Sequence, residues 1–268
     1  MSAETMGSAL PKAAKPVDAS ALGAKLSKLG LAFAAEGLSE ALAAEVAEPR
    51  GPGWMLDNLL ALEAERREER RVRKSLQLSG LPTGQTVASF DFAFQPSVKR
   101  SQIEALATCA WVRAKENLLI QGPPGVGKTH LAVSLGVKAV ECGFSVAFYR
   151  LDELLFSMRK DREEPPARLR RQKYMKSALL VVDEVGFLPF TREDANLFFR
   201  MVSYRYGRGS LALTSNKSVR EWPEMMAGDE VLATAVLDRL LHASHVLNIR
   251  GPSYRLKDLD ESLTSRNG

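Results

Sequence analysis

The chain is 268 residues long, 45% hydrophobic and 26% charged, the balance of a folded globular protein. No stretch approaches the ~18 consecutive apolar residues of a membrane span. Two cysteines, Cys109 and Cys142, cannot build a disulfide framework and fit a reducing compartment, the cytoplasm. Lys and Arg number 37 against 32 Asp and Glu; this small basic excess permits a nucleic-acid partner without requiring one.

Residues 1–20 are rich in Ala, Ser, Pro and Lys. They read as a disordered leader and lack the continuous apolar core of a secretory signal. A small helical domain is expected over residues 21–80. Leu22, Leu26, Leu29 and Phe33 recur at helical spacing, as do Leu38, Leu42 and Val46. Gly30 and Gly37 should break or bend these helices, and residues 49–53 read as a turn. Trp54 to Leu78 reads as one longer helix with Met55, Leu59 and Leu62 on one face. Its charged end carries Arg66, Arg67, Arg70, Arg71, Arg73 and Lys74. Such a run is commonly a solvated face with pairs such as Glu63–Arg67 and Glu69–Arg73; the sharper alternative is a helix that contacts nucleic-acid phosphates.

Residues 81–100 read as a connector. Phe90, Phe92 and Phe94 alternate in it, as in a short strand or an arm packing aromatics onto the next domain. A helix is expected at about 97–114. Residues 101–260 form the second domain, and 261–268 a tail. Within this domain the apolar runs 117–121, 145–149, 178–182, 211–214 and 246–249 alternate with helical segments. Five short buried strands separated by helices predict an α/β fold with a parallel sheet sandwiched by helices.

Gly122-Pro123-Pro124-Gly125-Val126-Gly127-Lys128-Thr129 matches the phosphate-binding pattern G-x-x-x-x-G-K-[ST]. An apolar strand precedes it, and a helix with Leu131, Leu135 and Ala139 in step follows it. Glycines let the backbone approach a phosphate closely, and amides at a helix N-terminus attract its charge. Lys128 is expected on the β- and γ-phosphates and the Thr129 hydroxyl on Mg²⁺. His130 completes the nucleotide-binding set. Neither it nor His242 or His245 has the companions of a metal site.

The run 178–182 ends in Asp183-Glu184. A buried parallel strand ending this way sets both acids at the carboxyl edge of the sheet. Asp183 is expected to hold Mg²⁺ and Glu184 to orient and deprotonate water. That choice of acceptor favours nucleotide hydrolysis over transfer to a small molecule, and no acceptor site for a kinase is visible. Asn216, after the 211–214 strand, either senses the γ-phosphate or makes an Asx turn. Arg239 sits alone among apolar residues of an amphipathic helix, either as a surface ion-pair partner or as an arginine finger supplied to a neighbour. Residues 159–176 hold eight cations against three acids. Arg168, Arg170, Arg171 and Lys173 are therefore further candidates for DNA contact.

GPPGVGKTHLA, LLVVDEVGFLP, YRYGRGSLALTSN and AVLDRLLHASHVLNIRGPSYRL, in that order, resemble the IstB-like helper ATPases of bacterial insertion sequences. FDFAFQPSVKRSQIEAL and residues 25–31 extend the resemblance over about residues 20–260. It implies an AAA+ ATPase core behind a small all-α N-terminal domain. It also implies ATP with Mg²⁺, a homo-oligomer with ATP at subunit interfaces, duplex DNA and a partner transposase. Asn216 would be a first sensor, Arg239 the finger and Arg255 a second sensor. The replicative helicase loaders, similar in motif order, supply the alternative function. A nucleotide-gated DNA-binding scaffold with negligible turnover is a third, which intact Lys128, Asp183 and Glu184 oppose.

Overall fold

The computed structural model describes residues 18–257. Most of the leader expected at 1–20, and the tail expected at 261–268, lie outside them. The last two leader residues belong to a helix, α1 (Ala19–Lys28), and Asp18 caps it, accepting the Ser20 and Ala21 N–H groups. The chain divides into two compact units, Met1–Arg71 and Val72–Gly268. The division falls within the third helix rather than at residue 80.

The first unit contains α1, α2 (Ala32–Ala47) and most of α3 (Pro52–Ser79). Gly30 ends α1 at φ +77°, a left-handed conformation that turns the chain back on the Ser27 and Leu26 carbonyls. Gly37 does not interrupt α2. A Cβ there would lie 2.4 Å from Leu62 Cδ2, so the glycine serves the close approach of α2 to α3. Leu38 and Leu59 are buried there, with Leu22, Leu26 and Met55 around them. No side chain at Leu31 caps α2. Glu63 of α3 does so instead, accepting the Ala34 N–H at 2.9 Å and pairing with Arg67 at 2.5 Å. Of the other expected pairs, Glu69 meets Arg66, not Arg73.

In the second unit, Val72 and Leu76 of α3 pack against the core. The single helix expected at 97–114 is two, α4 (Arg100–Ala107) and α5 (Ala110–Arg113), broken where Cys109 takes φ +58°. Next come β1 (Asn117–Gln121), α6 (Lys128–Glu141), β2 (Val146–Arg150), α7 (Leu151–Lys160), α8 (Pro166–Leu169) and α9 (Lys173–Lys176). Then follow β3 (Leu179–Val185), α10 (Arg192–Arg205), β4 (Ser210–Ser215), α11 (Trp222–Met225), α12 (Glu230–Leu241) and β5 (Ser244–Asn248).

All pairings are parallel, in the order β2-β3-β4-β1-β5. The strands read as unbroken apolar runs because both faces are buried. Leu180 and Val182 of β3 join Leu119, Leu211 and Leu213 on one face, under α7, α10 and α12. Leu179 and Val181 join Leu118, Ile120 and Ala212 on the other, under α4 to α6. From β1 the chain crosses to the far edge at β2, returns through β3 and β4, then passes beyond β1 to β5. Its direction thus reverses around β1, and a doubly wound sheet places its ligand at the carboxyl end of such a strand.

Candidate functional site

The phosphate loop leaves β1 at Gln121 and ends in α6, whose first residue is Lys128. Gly127 caps this helix at φ +94° and brings no side chain to its amides, which leaves them to face an anion. The loop is held on two sides. A Cβ on Gly125 would lie 1.9 Å from Ser253 Oγ, and one on Gly127 would lie 2.7 Å from the Phe90 ring. The Tyr254 N–H donates to the Gly125 carbonyl at 2.9 Å.

A cavity of about 350 Å³ opens above the loop. Lys128 and Arg255 both line it, and Lys128 Nζ donates to the Pro123 carbonyl at 2.7 Å. Burial holds the Lys128 ammonium below its ordinary pKa; Arg255 adds to that effect and Asp183 opposes it. Two cations converging on one concavity suit a polyanion. The Thr129 hydroxyl donates to Asp183, its Oγ1 2.9 and 3.0 Å from the two carboxylate oxygens. Neighbouring ligands of an octahedral ion at ~2.1 Å stand ~3.0 Å apart, so this hydroxyl and carboxylate fit a shared Mg²⁺.

Asp183 is buried and also accepts the Thr214 hydroxyl. The register between β3 and β4 shifts between Val182 and Val185, and such an irregularity re-aims side chains. There Glu184 takes φ +63°, and its N–H donates to Thr214 Oγ1 at 3.0 Å. Its carboxylate lies at the cavity, 3.1 Å from Arg150 at the end of β2. Asn216 lines the same cavity one residue beyond β4. His130 borders it too, but its Nε2 lies 2.8 Å from the Thr86 carbonyl and 3.2 Å from Ser89 Oγ.

The structure therefore gathers Pro124 to Thr129, His130, Glu184, Asn216 and Arg255 around one cavity, with Asp183 beneath. It does not bring Arg239 there. Asn117, at the opposite end of β1 from the loop, donates to the Arg239 carbonyl at 3.4 Å. The Arg239 guanidinium lies over the Phe199 ring and donates to the Ala235 carbonyl at 2.7 Å. Of the basic candidates, Arg66, Arg67 and Arg71 pair with acids of their own helix, and Arg168 with Glu164. Among the described residues Arg70, Arg73, Lys74, Arg170 and Arg171 hold no ion pair. Lys173 donates to the Leu78 carbonyl at 3.1 Å.

The cavity's other wall carries no motif in the sequence. Residues 81–99 form turns and no strand, and Gln85, Ser89, Phe90, Asp91 and Gln95 line the cavity. The arm is tied down by Gln95 Nε2 donating to the Pro252 carbonyl and Ser97 Oγ to the Arg250 carbonyl, each at 2.9 Å. The alternating phenylalanines were its one visible signal; Phe90 is buried against the core. Arg150 and Tyr254 carried none.

Known proteins similar to this chain show its family. The family described as IstB-like ATP binding protein matches residues 24–262. The IS21 insertion-sequence ATP-binding protein of Pseudomonas aeruginosa is 48% identical over 192 residues, 72% of either chain. The IS5376 insertion-sequence ATP-binding protein of Geobacillus stearothermophilus is 40% identical over 203 residues, 76% of this chain and 80% of the relative. Among solved structures, DnaI is similar at TM-score 0.52 and 17% identity, over 62% of this chain and 90% of DnaI. AMPPCP-bound DnaA from Aquifex aeolicus gives 0.51 and 21%, over 70% of this chain and 57% of DnaA. These two likenesses speak for the fold alone.

Proposed function

Because the chain belongs to the family of IstB-like ATP binding proteins, we propose that it is an ATP-hydrolysing helper of insertion-sequence transposition. It assembles with ATP on duplex target DNA and delivers or remodels that DNA for a partner transposase. The observation that carries the nucleotide chemistry is the Thr129–Asp183 contact beside the uncapped start of α6. A strand–turn–helix link needs neither residue.

The loop amides and Lys128 bind the β- and γ-phosphates. Thr129 and Asp183 would hold a Mg²⁺ ion, which would supply neutralisation of phosphate charge. Glu184, released from Arg150, takes the proton of the attacking water, and Asn216 orients that water. Arg255 holds phosphate charge within the same chain. Arg239 lies the length of β1 away from its own cavity, about 15 Å, so it acts on the nucleotide of a second copy. This geometry couples hydrolysis to assembly.

The test measures ATP turnover with and without duplex DNA, and particle mass with a non-hydrolysable analogue. Turnover and assembly both requiring ATP and rising with DNA support the reading. Assembly that ignores nucleotide overturns it. Assembly on a hexameric helicase and single-stranded DNA, with no response to duplex, selects the helicase-loader function instead. In Lys128→Ala, ATP affinity should fall about 10- to 100-fold, the scale of one charged hydrogen bond.

A further inference from the structure

A second cavity, of about 280 Å³, lies at the amino-terminal edge of the sheet. Lys115, Arg205, Arg239 and His242 line it together with Asn117 and Tyr206. Among the described residues no Asp or Glu does. Glu116, next to Lys115, is engaged with His245 at 2.8 Å.

Arg205 is the deepest of these, 1% exposed. Its terminal nitrogens donate to the carbonyls of Tyr174, Met175, Ser177 and Ser210 at 2.8 to 3.2 Å. Peptide carbonyls, with the Ser177 hydroxyl at 3.5 Å, thus solvate the charge, and among the described residues no carboxylate answers it. Its Nε–H is buried with no acceptor among the described residues. Burial without a counter-charge pushes the guanidinium down to about 10. A buried cation in this state is stabilised by an anion drawn in beside it. Two further cations stand at the rim. Lys115 is exposed and held at φ +61°. Arg239 uses one of its five donors on Ala235.

We propose that this cavity receives a phosphate-type oxyanion, with Arg205 as its floor and Lys115 and Arg239 closing over it. Two sources share that chemistry. One is free phosphate or pyrophosphate. The other is the terminal phosphate of a nucleotide held by a second copy of this chain, and this source rests on the function proposed above. It would make Lys115 a second cation supplied in trans.

The first arm uses the full chain carrying Lys128→Ala, which disables the phosphate loop. Inorganic pyrophosphate is titrated into it by calorimetry at constant ionic strength, without Mg²⁺. Saturable binding is expected, and adding Lys115→Asn or Arg239→Ala should weaken it about tenfold. Asn removes the charge and tolerates the left-handed backbone, so fold and site effects separate. The second arm mixes Lys128→Ala chains with Lys115→Asn chains and ATP. An intact cavity then faces an intact loop across subunits, and turnover should exceed the sum of the separate proteins at least about threefold. Binding in the first arm identifies the free anion; gain in the second alone identifies the neighbour's nucleotide. Neither effect, or pyrophosphate binding indifferent to Lys115 and Arg239, overturns the proposal. Unchanged ATP affinity in Lys128→Ala would instead remove the phosphate-loop reading, while the pyrophosphate titration would still decide for or against the second cavity.

Discussion

Glu184 and Gly127 show how much of the site's chemistry rests on single contacts. The Glu184 carboxylate lies 3.1 Å from the Arg150 guanidinium, and both side chains are about half exposed. A pair of that exposure is worth ~0.2–1 kcal/mol, a bias of up to about fivefold in carboxylate position. Arg150→Ala should therefore raise DNA-free turnover by up to about fivefold while ATP affinity holds. Steady-state kinetics checks this, since a merely structural defect would lower kcat and disturb KM together. Glu184→Gln should keep ATP bound and lower turnover by about 10²- to 10⁴-fold, the usual contribution of a general base. Normal turnover would take Glu184 out of the proposed mechanism. Gly127 has a different role. At φ +94° and 2.7 Å from the Phe90 ring, an added Cβ meets both a disfavoured backbone and a buried aromatic. Gly127→Ala should lower stability by about 1–3 kcal/mol, read as a shift in the urea midpoint, and weaken ATP binding with it.

Elements differ in how far their sequence betrays them. The five strands are legible because burial on both faces demands unbroken apolar runs, and β1 and β3 end in the phosphate loop and the acid pair. The connector at 81–99 is not, because coil has no period, and its residues acquire meaning only from the loops at Ile249 to Tyr254 that they meet. Arg150 was equally hidden. Its partner follows from β2 lying beside β3, a fact of topology rather than local sequence. Likewise α4 and α5 look like one helix until Cys109 takes its left-handed turn. The cap that Glu63 provides to α2 belongs to the same class, since it joins positions 29 residues apart. Burial raises the Glu63 pKa, but the Ala34 N–H and Arg67 outweigh it and hold the carboxyl below its ordinary value. A depressed carboxyl contributes stability above its unfolded pKa, and that contribution fades as pH falls through the lower folded value. Hydrogen exchange of residues 32–47, corrected for intrinsic rates, should therefore quicken on acidification below about pH 4.5. Glu63→Gln should show fast exchange already at neutral pH and lose that dependence. An unchanged profile in the variant would assign the acid response to another group.

At the scale of the whole molecule, the question is where the excess of five positive charges is left uncompensated. Ion pairs neutralise much of the basic run on α3 and part of the 159–176 segment. The cations without such partners include Arg73 and Lys74 near the end of α3, and Arg170 and Arg171 between α8 and α9. Lys173 ties these two stretches together at the Leu78 carbonyl, so within the second unit they form one basic surface rather than two. A surface of this kind binds duplex phosphates by displacing condensed counterions, which makes affinity fall with salt at a slope of about 0.9 per phosphate contacted. The Arg170→Ala, Arg171→Ala double variant should reduce that slope by about one to two. Anisotropy of a labelled duplex, titrated over a series of NaCl concentrations, measures it directly. The slope separates this role from an indirect one: a variant that weakens binding equally at every salt concentration has lost affinity without losing phosphate contacts. That result would move the DNA interface away from the 166–176 segment.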